Sequence, residues 1–191
     1  MTYPYSSGDV VTASDMNSVG LHLITPSSVT GGTLSGATTS ITSGVSSVTV
    51  NGVFSANFDN YKIMYAVTAS INVGIGLKIS GVTSATGYDS KLFYASVYSA
   101  AAWTDVAHFA TDEWFIGYTN QSERAMASVE MYEPYGNNTV RFSSQYSSYV
   151  SGVANGQTVA TSGTQSTGFT LLPLSGTFTG GTIRVYGYSN G

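Results

Sequence analysis

Few side chains in this sequence are suited to chemistry, and they stand far apart. There are two histidines, His22 and His108, ten acidic residues, six Lys and Arg, and no cysteine. Asp105, His108, Asp112 and Glu113 form the spacing D-x-x-H-x-x-x-D-E, which offers oxygen and imidazole ligands to a metal if the segment curls. No Asp-x-Asp-x-Asp-Gly loop accompanies it. The plainer reading is a loop of an acidic protein that carries several carboxylates, and no metal is assigned. Glu130 and Glu133 are three positions apart, which puts them on opposite faces of a regular strand, poor geometry for two carboxylates working across one glycosidic bond. No G-x-S-x-G elbow marks a nucleophilic serine. Gly74-Ile75-Gly76-Leu77-Lys78 lacks the following helix that gives a glycine loop its affinity for phosphate. The expectation is a protein that is not an enzyme and has no cofactor.

What remains is aromatic: 14 Tyr, 8 Phe and 2 Trp. Rings offer large contact area at little rotamer entropy, so Tyr88, Tyr94, Tyr98, Trp103, Tyr118, Tyr132, Tyr135, Tyr146 and Tyr149 suggest an exposed platform for sugar rings. Tyr98, Trp103 and Tyr135, with Asp105, Asn137 and Asn138 as hydrogen-bond partners, are the candidate ligand-binding residues. The competing reading of any single ring is sandwich core or subunit interface. Trp103, behind Ala100 to Ala102, is the ring most expected to be exposed.

Those residues must be held by strands. In Ser47 to Thr68, Tyr61, Ile63, Tyr65 and Val67 alternate with Lys62, Met64, Ala66 and Thr68, the period-two pattern of a half-buried strand. Val48, Val50 and Phe54 give the preceding segment an apolar side too, and the two read as a β-hairpin. Ile75, Leu77 and Ile79 make a further strand, with Gly74 and Gly76 on a face that a neighbour approaches closely. Phe93, Ala95 and Val97 alternate with Leu92, Tyr94 and Ser96. Ser99 to Asp112 breaks pattern and reads as a helical turn or a long loop, after which Trp114, Ile116 and Tyr118 resume strand period. Ala125 to Met131 and Val140 to Tyr146 form a second hairpin around Pro134 to Asn138. Gly152 to Thr167 reads as polar loop. Phe169 to Leu174 is a strand that tolerates Pro173 near an end or edge, and Thr182 to Tyr188 is a last strand tied into the sheet centre.

Ahead of this, Thr12 to Asn17 looks like a short helix capped by Thr12 and Asp15, and Pro26 to Ser46 is a Ser/Thr/Gly tether with one short strand near Thr38 to Thr42. The expected domains are therefore an N-terminal segment, residues 1–46, and a β domain, residues 47–191. Nine or ten strands without helical period predict an all-β, antiparallel two-sheet β-sandwich, jelly-roll-like, with a short N-terminal helix and an extended tether.

Composition agrees with this. Of 191 residues only 8% are charged, and none between Arg141 and Arg184, while Ser and Thr fill roughly a quarter of the chain. Hydroxyls wet a surface without the desolvation cost of burying ions. A net charge of −4 with six scattered basic residues excludes nucleic acid as an expected partner. The start, MTYPYSSGD, shows no basic region before an apolar core, and the uncharged run from Met16 to Phe58 is too polar to span a bilayer.

Three pieces, GDVVTASDMN (Gly8 to Asn17), NGVFSANFDNYKIMY (Asn51 to Tyr65) and TGGTIRVYGY (Thr179 to Tyr188), resemble the layout of tail-fibre and minor tail proteins of tailed bacteriophages. The resemblance covers roughly a fifth of the chain, at both ends and the hairpin, and Ser80 to Ser166 lies outside it. It implies a virion surface protein made in the host cytoplasm, a homotrimer whose N-terminal segment docks on other virion proteins through Thr12, Asp15, Met16 and Asn17. The sandwich would then bind a bacterial surface glycan or protein without catalysis. The alternative it leaves open is a capsid decoration, head-fibre or tail-adaptor protein with a structural role only.

Overall fold

A computed structural model describes residues 20–82, 86–97, 102–136, 139–158 and 165–188. The helix expected over Thr12 to Asn17 lies outside them. The first third of the described chain holds β1 (Leu21–Ile24), β2 (Ser28–Thr30), β3 (Gly32–Ser35), β4 (Thr38–Ile41), β5 (Val48–Asn51) and β6 (Asn60–Ala69). Next come β7 (Val73–Ile79), β8 (Tyr88–Ser96), β9 (Thr104–Thr111), β10 (Trp114–Thr119) and β11 (Ala125–Tyr132). The last are β12 (Arg141–Ser147), β13 (Val150–Thr158), β14 (Phe169–Pro173) and β15 (Phe178–Tyr188).

These strands form an antiparallel two-sheet sandwich. The larger sheet has ten strands in the order β3-β4-β15-β6-β11-β12-β13-β8-β9, with β1 also paired to β15, and the smaller has the order β10-β7-β14-β5-β2. β15 is an interior strand, third from one edge rather than at the centre expected of it: β6 lies along one side, and β4 then β1 share the other. The alternation of β6 is as the sequence reads, since Tyr61, Ile63, Tyr65 and Val67 are buried with Ala125, Ala127, Val129 and Met131 of β11. From the other sheet Val48, Val50, Ile75, Leu77, Phe169 and Leu171 close the core. Trp114 is fully buried, edge-on to Tyr88 at 5.1 Å and tilted against Phe142 at 4.9 Å.

Hydroxyls stitch the layers together at β10. As the edge of the smaller sheet, this strand has backbone groups without a neighbouring strand, and side chains of the larger sheet serve them. The Phe115 amide donates to Ser90 Oγ at 3.0 Å, and Ser144 Oγ donates to the Ile116 carbonyl at 2.8 Å. In the other direction Trp114 Nε1 donates to the Gln157 carbonyl at 2.9 Å and Thr119 Oγ1 to the Val67 carbonyl at 3.1 Å. Tyr88 Oη does the same one strand further in, accepting from the Ile79 amide at 3.0 Å. Buried backbone groups need partners, and a Ser/Thr-rich chain supplies them locally.

Several expectations are corrected. β5 and β6 are not a hairpin: β5 pairs with β14 and β2, β6 with β15 and β11, so they lie in opposite layers. Their apolar sides meet face to face, and the connection buries Val53 and Phe54 as it crosses between sheets. The segment from Pro26 to Ser46 is not a tether. It contributes β2, β3 and β4, and strands on both sides of residue 46 share both sheets. Part of the stretch Ser99 to Asp112 is strand β9, which hides no alternation because, at the sheet's edge, it has little to bury. Gly152 to Thr167 contains most of β13, an interior strand between β12 and β8. A Cβ at its Gly152 or Gly156 would meet the Phe93 or Asp89 carbonyl of β8 at 2.0 or 2.3 Å, with Tyr146 and Phe142 close beside, so neither position takes an apolar side chain. The described residues hold fifteen strands rather than nine or ten, mostly because short edge strands carry no period of their own.

Candidate functional site

The sites read from the sequence divide between opposite ends of the larger sheet. Tyr98, Asn137, Asn138 and the anchoring candidates Thr12, Asp15, Met16 and Asn17 lie outside the described residues. Trp103 is 69% exposed, immediately before β9, and Asp105 is exposed in β9 and paired with Lys91 at 3.2 Å. Register through β8, β13 and β12 sets Thr104 level with Ala127, whereas Tyr135 follows Tyr132 in the turn after β11. Five residues of strand at about 3.4 Å, roughly 17 Å, separate the two levels. Trp103 and Tyr135 therefore do not share one platform.

Most of the other rings face inward. Tyr88 and Tyr146 are buried, and Tyr94, Tyr118, Tyr135 and Tyr149 pack partly against the core, leaving Tyr132 open. Tyr94 and Tyr118 lie 4.9 Å apart, and Tyr146 and Tyr149 are each 6.4 Å from Tyr118. Burial, then neighbouring phenols, push the Tyr118 and Tyr146 hydroxyls well above the ordinary tyrosine range. These rings pack the sandwich rather than stack on a ligand.

The D-x-x-H-x-x-x-D-E residues do not converge. His108 stacks edge-on against Phe115 at 4.8 Å, and burial lowers its pKa. Asp112 and Glu113 instead straddle Lys78 of β7, at 2.6 and 3.4 Å. Among the described residues no cluster of His, Asp and Glu has the arrangement of a metal site. Glu130 pairs with Lys62 at 2.8 Å and accepts a hydrogen bond from Tyr188 Oη, while Glu133 occupies the turn after β11 with φ of 53°. A hollow of about 300 Å³ near that turn is bordered by Asp59, Glu133, Tyr135 and Phe58.

A groove that the sequence did not single out lies elsewhere on the larger sheet. On the outer face of the larger sheet, the register aligns Arg184, Met64, Ser128 and Gln145 across β15, β6, β11 and β12. The next row is Thr182, Ala66, Met126 and Ser147. Small Ala66 and Ser128 leave a groove of about 430 Å³ between Met64, Met126, Arg184 and Tyr186. Three strand spacings of about 4.8 Å make it roughly 14 Å across. Met64 and Met126 are 45% and 59% exposed. Arg184 Nε donates to Thr38 Oγ1 at 3.0 Å, which fixes the guanidinium, and no carboxylate pairs with it among the described residues. Lys62, one row away, is neutralised by Glu130, so the groove carries one uncompensated positive charge on a greasy floor. Leu21, Leu23, Phe93 and Val153 extend exposed apolar surface across the same sheet. The available signal was a methionine at an outward position of β6.

Two of the three resembling pieces prove to be neighbours. Asn51 to Tyr65 and Thr179 to Tyr188 meet as β6 and β15, antiparallel from Tyr61–Gly187 to Val67–Gly181. Phe58 lies so close over Gly187 that a Cβ there would come within 2.4 Å of the ring, and Tyr61 Oη accepts from the Ser55 amide at 2.7 Å and donates to its carbonyl at 2.8 Å. The residues of these two pieces thus build scaffold. The chain matches no protein-family model and no curated protein.

Proposed function

We propose that this chain is a non-catalytic attachment protein of a bacteriophage particle, a tail-fibre or tail-surface sandwich that recognises a host-surface molecule with the outer face of its larger sheet. The observation that carries the reading is the groove between Met64, Met126, Arg184 and Tyr186: apolar, exposed, and held on four hydrogen-bonded strands. Methionines adapt to varied apolar shapes, and a fixed guanidinium orients a carboxylate or phosphate. Rigid placement lowers the cost of binding, and the surrounding residues lack the paired acid and base that turnover needs. The resemblance of the β6 and β15 pieces to phage tail proteins supplies the setting.

The test is adsorption. Met126→Asp with Arg184→Ala, both at exposed positions, should abolish competition by the purified protein against phage adsorption while leaving its circular dichroism unchanged; undiminished competition sinks the reading. The spread of Leu21, Leu23, Phe93 and Val153 beyond the groove favours a second reading, a decoration or adaptor protein whose apolar face is covered by other virion proteins. Locating the chain in a purified particle separates the two, since a buried outer face favours the second.

A further inference from the structure

The free edge of β9 points to a twofold contact between copies of this chain. β9 is the last strand of the larger sheet, and among the described residues no strand pairs with its outer edge. An open edge is a row of unpaired amides and carbonyls, and proteins usually blunt it with lysine, proline, a bulge or a cover. β9 contains neither lysine nor proline, and its one acidic residue before the terminal turn, Asp105, is already paired with Lys91. The register shift opposite Asp89 falls at its far end, where Ala110 has φ of 52°, so Thr104 to His108 runs in regular register with β8. This edge is flanked by Trp103 and Phe109, 69% and 66% exposed, more than any other large hydrophobic among the described residues.

We propose that β9 pairs antiparallel with β9 of a second copy about a twofold axis at Val106, joining two ten-stranded sheets into one. That register is self-complementary. It sets Trp103 opposite Phe109 of the second copy, twice over, on the exposed side of the strand, Thr104 opposite His108, Asp105 opposite Ala107, and Val106 opposite itself. Cross-strand aromatic pairs are among the stabilising ones, and no like charges face each other. A twofold centred one residue later sets Asp105 against Phe109 and leaves Trp103 opposite Thr111, losing both aromatic pairs. Two identical patches related by a twofold close on themselves, so the contact yields a dimer and not a filament. It differs in symmetry from the homotrimer that the phage resemblance implies, and it does not depend on what the groove binds.

The chain has no cysteine, which makes the register directly testable. Directly opposite residues in an antiparallel pair lie about 4.5–5.5 Å apart at Cα, within disulfide reach. Val106→Cys alone should form a covalent dimer under mild oxidation, at least tenfold faster than Thr104→Cys alone, and Thr104→Cys combined with His108→Cys should match it. The unmodified protein should sediment as a dimer at micromolar concentration, and Trp103→Ser with Phe109→Ser should weaken that dimer at least tenfold. A monomer in sedimentation, a trimer, or equal cross-linking of Val106→Cys and Thr104→Cys overturns the proposal. Should the double serine variant not fold, the cysteine pair still decides.

Discussion

At the scale of single residues, the fold depends on hydroxyls in places where most proteins put another strand. Ser144 illustrates this: it is buried and its Oγ donates to the Ile116 carbonyl on the free side of β10. Ser144→Ala leaves that carbonyl without a partner and should cost about 1–3 kcal/mol, read by denaturant unfolding; a change near zero would mean that the hydroxyl is dispensable. Trp114→Ala belongs to a different class, since it empties the ring space between Tyr88 and Phe142, and a loss of about 3–5 kcal/mol is expected in the same assay. Gly187→Ala should cost more than an ordinary strand substitution, because the ring of Phe58 occupies the position of the new methyl group.

At the scale of elements, alternation was readable wherever a strand has one buried face, as in β6, β11, β12 and β15. Where that condition fails the sequence is silent. β9 buries almost nothing, β2 and β3 are three and four residues long, and β13 puts glycine at two of its inward positions, between Val150, Ala154 and Thr158. Pairing was less legible than strand existence: an apolar face states that a strand has a core side, but not which sheet it joins, and so β5 and β6 passed for a hairpin. The groove was illegible for a related reason, since Arg184, Met64 and Met126 become neighbours only through register between strands up to 120 residues apart. Charge at one connection gives an element-scale prediction. Lys78 on β7 holds Asp112 and Glu113 in the turn between β9 and β10. Hydrogen bonds from Glu113 and Lys78 hold the Asp112 carboxyl below its ordinary range, while burial and then Asp112 push Glu113 above its own. The signs are opposite. Stability tied to Glu113 rises as pH falls toward 4.5, whereas stability tied to Asp112 is present at neutral pH and is lost below 3.8. Glu113→Gln should therefore remove the shallow rise and keep the acid loss, each within about 1 kcal/mol because solvent still reaches Asp112 and Lys78. Unfolding midpoints across that pH range check it.

For the whole molecule, tyrosine dominates the response to alkali. Burial pushes Tyr88 up to about 12 and raises Tyr65, Tyr118 and Tyr146 further, all from an ordinary value of 10.0. A raised folded-state pKa means stability that is complete below pH 10 and drains away as pH climbs through the folded values. Phenolate absorbance should thus rise in two stages, exposed rings first, then a steep step coincident with loss of the strand signal in circular dichroism. A single smooth titration with the fold intact would contradict the packing of these rings.

The position of β15 also bears on synthesis. This strand lies inside the larger sheet, paired on both sides, yet the ribosome delivers it after every other described strand, and its ladder to β6 spans more than a hundred residues. Until it emerges, β1, β4 and β6 have no common partner, so a nascent chain stalled short of Phe178 offers proteases and chaperones an unsealed seam. Pairing of β15 with β6, β4 and β1 closes that seam.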